Sequence, residues 1–179
     1  GTIDNTEYDK THADRFTVDG KSITMEEDVQ FAHYDPNVAS LMQLGKWFDY
    51  MRENGVYDNT RIILVADHGR GLYLNWDRVI DNGPDTDFFF PLLMVKDFNA
   101  KGFSFSDTFM TTADVPTLAT SGLIDNPTNP FTGNAINANA KYDRPFYAFM
   151  SYDWDTSKNN GNQFFPGTWY RVDNQNARD

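Results

Sequence analysis

The sequence predicts an α/β fold, a partial layered α/β sandwich finished by a small C-terminal antiparallel ribbon. Three observations carry this. A long stretch with helical spacing, DPNVASLMQLGKWFDYMRENG, starts at Asp35. Two short apolar runs follow it, Ile62 to Ala66 and Phe88 to Val95, each of strand length. Their order, helix, strand, loop, strand, short helix, belongs to layered α/β architecture. One long helix and two central strands are too few to cover both faces of such a sheet. Residues 1–179 are therefore expected to form a single α/β unit that is the C-terminal part of a larger domain.

Taken in order, residues 1–30 are polar and without periodicity, and read as loop with one short strand at Arg15–Val18. In the helix that follows, Asp35 is suited to the N-cap and Pro36 to the first helical position. Val38, Leu41, Met42, Leu44, Gly45, Phe48 and Met51 form its apolar stripe, and Gly55 is placed to end it in a left-handed cap. Asp58-Asn59-Thr60 is a turn. Arg61 to Ala66 is apolar on both faces, as expected of a strand inside a parallel sheet. Residues 69–87 make a long loop, and FFFPLLMV (88–95) a second buried strand with Pro91 at an edge or bulge. Asp114–Ser121 is a short helix with Pro116 in its first turn and Gly122 at its end. Residues 125–140 are loop, and Phe146–Met150 and Trp169–Val172 are late strands, the second in the ribbon.

Composition bounds the function. The chain has 179 residues, 40% hydrophobic and 16% aromatic, enough for one sizeable core. Its formal charge of −11 disfavours nucleic acid and anionic membranes, because repulsion replaces the counterion-release gain of basic proteins. An acidic protein still handles phosphate or sulfate esters where bound metal reverses the local sign. No cysteine is present, which excludes disulfides, thiolate metal sites and cysteine nucleophiles. No apolar stretch approaches the roughly 18 residues of a membrane span, and the first residues lack the apolar centre of a signal peptide. The chain opens on Gly rather than Met, as expected of a piece of a longer protein.

Asp67-His68-Gly69 ends the first apolar run, and functional loops of α/β sheets leave the carboxyl ends of strands. A carboxylate beside an imidazole pairs a hard oxygen with a nitrogen, a donor set suited to zinc or manganese. A strand-terminal turn with a hydrogen-bonded histidine fits the same three residues.

The phrases around this one resemble the alkaline phosphatase superfamily, in its sulfatase-like and lipoteichoic acid synthase-like branch. They are Gly55, Asp58-Asn59-Thr60, the strand into Asp67-His68-Gly69, FFFPLLMV, and Ala113-Asp114-Val115-Pro116-Thr117-Leu118. Pro130-Phe131-Thr132-Gly133 and Trp169-Tyr170-Arg171-Val172 complete the series. The resemblance implies the second half of an alkaline-phosphatase-like fold, with Asp67 and His68 as ligands of a divalent metal (Zn, Mn, Mg or Ca). It implies an anionic ester substrate for the full-length protein and a bacterial cell-envelope location, with membrane contact only through a segment upstream. The family's nucleophile lies on an upstream strand for which this chain has no counterpart, so no catalytic residue is assigned and the chain alone is expected to be inactive. A non-catalytic binding or scaffold module derived from the family is the alternative.

His33, in FAHYD, and His12, in DKTHAD, are candidate substrate-binding residues; each also suits a surface or capping role. Arg70 and Lys96 are candidate contacts for an anionic ester, with a plain surface role as the competing reading for Arg70. The aromatic stretch NQFFPGTWYRV suits a sugar platform or the packing of a late hairpin. The Asp/Asn-rich segments at 77–87 and 153–162 lack the spacing of a calcium loop.

Overall fold

The computed structural model describes residues 15–18, 20–72, 86–150 and 167–172. The chain forms two compact units, Gly1–Gly102 and Phe103–Asp179. Among the described residues helices and strands are mixed, and the strands pair into three separate two-stranded sheets, all antiparallel.

In the first unit, β1 (Arg15–Val18) pairs with β2 (Lys21–Thr24) from Arg15↔Thr24 to Val18↔Lys21. The two residues between them are Asp19-Gly20, and Gly20 has φ +77°, the left-handed backbone a two-residue hairpin needs. β1 was expected and β2 was not. That Asp-Gly pair is the signal that reveals it.

α1 runs from Asp28 to Glu53, starting eight residues further upstream than Asp35 and Pro36 suggested. The reason is a competing N-terminus. The side chain of Gln30 turns back, and its Oε1 accepts from the backbone N–H of Glu26 (2.7 Å) and Glu27 (3.1 Å). Two donors that a helix start leaves unpaired are satisfied in this way. Pro36 consequently sits inside the helix, where it removes one backbone bond but does not stop the run. The buried residues of α1 are Gln30, Ala39 and Met51, while Leu41, assigned to the apolar stripe, is exposed. The C-terminus is as expected. Gly55 has φ +67°, its N–H donates to Arg52, and that of Val56 donates to Met51, a Schellman closure.

β3 (Ile62–Val65) and β4 (Leu93–Lys96) form the second sheet, from Ile62↔Lys96 to Val65↔Leu93. The parallel arrangement expected for β3 is corrected here: β3 and β4 are antiparallel. Parallel neighbours need a crossover, usually helical, and the described part of the connection contains only one short 3₁₀ turn, Thr86–Phe89. That turn also takes Phe88 and Phe89 of FFFPLLMV, and β4 begins at Leu93, after Pro91. Proline has no N–H to give a ladder. Val65, Leu92, Met94 and Val95 are left exposed.

In the second unit, α2 (Val115–Thr120) has Pro116 in its first turn and Gly122 beyond its end at φ +72°. Asp114 fixes its start: Oδ2 accepts from the N–H and Oγ1 of Thr111, and Oδ1 pairs with Lys141 at 3.0 Å. β5 (Phe146–Met150) and β6 (Thr168–Val172) pair from Phe146↔Val172 to Met150↔Thr168. This is the expected C-terminal ribbon.

Candidate metal centre

β3 delivers Asp67 and His68 where its ladder with β4 runs out. The last regular pair is Val65↔Leu93, and the N–H of Ala66 still donates to Leu92 at 2.9 Å. The chain then turns, and the N–H of Gly69 donates to the carbonyl of Phe88 at 3.0 Å. Only glycine fits there. A Cβ on residue 69 would lie 1.8 Å from the carbonyl oxygen of Asp87 and 3.0 Å from that of Phe90. The 87–90 segment thus presses against the turn and holds its backbone. Beyond the turn, the chain is tied back to α1 by the amide of Gln30, which donates to the carbonyl of Leu72 at 2.7 Å. Gln30 is only 3% exposed, and both ends of its side chain are satisfied. It is a positioning residue that composition alone did not reveal; the Glu27-x-x-Gln30 spacing is its only sequence trace.

The two side chains point into solvent, with 90% of Asp67 and 67% of His68 accessible. Asp67 Oδ1 accepts from the backbone N–H of His68 at 3.0 Å, which fixes one carboxylate oxygen. The imidazole Nδ1 is 2.7 Å from the carbonyl oxygen of Gly69. A carbonyl only accepts, so Nδ1 carries the proton and Nε2 of the neutral ring keeps its lone pair. This is the second-sphere arrangement that orients histidine ligands in metalloproteins. Nε2 is 3.8 Å from Asp67 Oδ2, close to the ~3.4 Å that separates two donors of a tetrahedral zinc. The chemistry and spacing of this pair fit a divalent metal. Among the described residues no third His, Asp, Glu or Cys joins them.

The other candidates fall elsewhere. His33 lies within α1 rather than before it, and its carbonyl accepts from the Asn37 amide at 2.6 Å. Among the described residues no hydrogen bond or ion pair joins it to Asp67 or His68. His12 lies outside the described residues, as do positions 77–85 and 153–162 of the Asp/Asn-rich segments. Arg70 is exposed beside the turn. Lys96 is not available to an ester at this site. It stands opposite Ile62, at the far end of the ladder, about 15 Å along the strand from Asp67. Its ammonium group donates to the carbonyls of Tyr57 and Thr60 and lies over the Tyr57 ring.

Among the described residues no helix is long and apolar enough to cross a membrane. No family model, curated protein or solved structure matches the chain.

Proposed function

We propose that this chain is the C-terminal part of a metal-dependent hydrolase or transferase acting on phosphate or sulfate esters. On this reading it belongs to the sulfatase-like and lipoteichoic acid synthase-like branch of the alkaline phosphatase superfamily. One observation carries the proposal: a carboxylate and an imidazole stand together at a strand end, with Nε2 directed away from the one carbonyl that holds Nδ1. When bound, the metal supplies positive charge for a phosphoryl or sulfuryl oxygen and for the attacking group. Asp67 and His68 hold it, Gly69 lets the turn close, and the Gly69 carbonyl selects the histidine tautomer. Zinc or manganese suits the oxygen and nitrogen donors best, with magnesium and calcium as weaker fits.

The nucleophile and the remaining ligands are assigned to a segment upstream of Gly1, together with the strands that complete a layered sandwich. The exposed Val65, Met94 and Val95 on β3 and β4 support this, since such strands ordinarily lie inside a sheet. The same upstream segment supplies any membrane anchorage at the bacterial cell envelope. The substrate is an anionic ester, and nucleic acid is disfavoured by the net charge. A second reading, a non-catalytic module derived from the family, draws on the absence of a third donor among the described residues.

Titration with Zn²⁺, followed by the imidazole signals in NMR, separates the two. Saturable shifts at His68 that disappear in Asp67→Asn are expected for the metal site. Shifts that persist unchanged in that variant, or no response of His68 in the wild type, favour the scaffold module.

A further inference from the structure

Among the described residues Phe131 is the most exposed of the large apolar side chains, with 95% of its surface in water. It stands on a loop, 127–136, of the second unit. Thr128 and Ala135 bridge the base of this loop, where the N–H of Ile136 donates to the carbonyl of Pro127 at 2.9 Å. Beyond the bridge the loop pairs its own backbone donors. The N–H of Asn129 donates to the carbonyl of Asn134, and that of Gly133 to the carbonyl of Asn129, both at 2.8 Å. Asn129 Oδ1 accepts from the N–H groups of Phe131 (2.9 Å) and Thr132 (3.2 Å), and Thr132 Oγ1 from that of Asn134 (3.3 Å). Pro130 has no N–H to place. Every backbone donor from Asn129 to Asn134 is therefore satisfied without water. Charge is sparse as well. From Ser121 to Ala140 only Asp125 is ionised, in a chain where 23% of residues are charged.

We propose that this loop inserts Phe131 into the interface of a zwitterionic lipid bilayer. The phenyl ring gains by leaving water, and the boundary between headgroups and acyl chains takes aromatic side chains well. What opposes entry is the loss of water from backbone groups, because the bilayer returns no hydrogen bonds. The loop meets this condition for its donors in advance, by the pairing centred on Asn129. It also carries no ionised group from Asn126 to Ala140 whose desolvation would oppose insertion. A protein pocket would offer hydrogen-bonding partners of its own, so it does not call for a tip whose donors are all paired internally. Anionic bilayers meet the repulsion of a chain carrying −11. One ring makes a contact and not an anchor, weaker than the ~10⁴ M⁻¹ of a single myristoyl chain. Phe131 belongs to a different unit from Asp67 and His68, and the proposal does not depend on the metal.

The test is sedimentation of the whole chain with phosphatidylcholine vesicles at roughly millimolar lipid, alongside phosphatidylglycerol vesicles. Binding to phosphatidylcholine is expected, and about tenfold or more weaker in Phe131→Ala, which removes the ring that leaves water. The Phe131 side chain is in water and the loop is closed by other groups, so the urea midpoint of this variant should match the wild type. Phe131→Trp is the companion variant. It should keep the binding, and brominated phosphatidylcholine should quench its emission more than that of the wild type with its 4 tryptophans. No binding to phosphatidylcholine overturns the proposal and leaves the ring to a protein pocket. Binding that Phe131→Ala leaves unchanged overturns it too, as does binding confined to phosphatidylglycerol. Equal quenching of Phe131→Trp and the wild type would place the ring outside the bilayer and has the same consequence.

Discussion

The two ends of the β3–β4 ladder use charge in opposite ways. At the end where β3 begins, a cluster of charged side chains is spent on closing the fold. Asp58 pairs with Lys101 at 3.0 Å, Asp97 accepts from both Nε and an Nη of Arg61, and Lys96 caps the carbonyls of Tyr57 and Thr60. These contacts stitch the turn before β3 to the turn after β4, and the N–H of Asn99 adds a backbone bond to Asp58 at 2.8 Å. Where β3 ends, the hydrogen bonds and ion pair of the Asp67 and His68 side chains among the described residues are to each other and to the next residue, and both face water. Charge that contributes nothing to closure at a strand end is available for chemistry. The difference separates a structural cluster from a candidate site in a sheet where both are rich in charge.

The sharpest break in this comparison is Gly69→Ala. The methyl group would occupy the position of the Asp87 carbonyl, so the backbone must move and the Gly69–Phe88 bond is lost. A destabilisation of about 3 kcal/mol or more is expected, read as a drop in the urea midpoint. A loss under about 0.5 kcal/mol, the scale of an ordinary surface substitution, would show that the 86–90 segment does not hold the turn.

Lys96→Met tests the closing end. The apolar stem is retained, but two backbone carbonyls lose a charged donor in a half-buried setting. A cost of about 1–3 kcal/mol is expected, with Zn²⁺ binding at His68 unchanged. An altered metal response would mean that the two ends are coupled after all.

Acid acts on the same end more gently. The Asp58 carboxyl is held below its usual value of 3.8, chiefly by the hydrogen bond from Lys101, and that of Asp97 by the hydrogen bonds from Arg61 and the Phe98 N–H. A lowered folded-state pKa gives stability that is complete above the unfolded value and lost as pH falls through the folded one. Melting temperatures of wild type and Lys101→Met should therefore differ at neutral pH and converge as the pH drops below 3.8. A difference that persists in strong acid would rule out ionised Asp58 as its source.

The comparison also marks what the sequence made legible. Features fixed by a single residue's backbone needs were readable: the Gly55 closure, the Pro116 helix start, and the strand that stops at Asp67. The ribbon was readable too, because its apolar and aromatic runs are bounded by turn residues. What escaped depends on partners distant in sequence. Asp35 and Pro36 make a good helix start, but Gln30 makes one earlier because its amide can also reach Leu72. β3 looks the same whether its neighbour runs parallel or antiparallel, and only the connection decides. Lys96 reads as a free cation until the ladder places it beside Tyr57.

The smallest expected effect on stability is also the most informative. Asp67→Ala and His68→Ala each remove a side chain that is mostly in water and whose bonds are to its immediate neighbours. Each should change the urea midpoint by less than about 0.5 kcal/mol. Under the proposed function, each should lower turnover of an anionic ester by the full-length protein by orders of magnitude, because a metal that loses one of few ligands would no longer stabilise the transferred group. Structural charges behave in the reverse way, as Lys96 should. If either alanine variant destabilises the chain as much as Lys96→Met does, Asp67 and His68 are finishing a strand. If stability holds and turnover collapses, they are there for the metal.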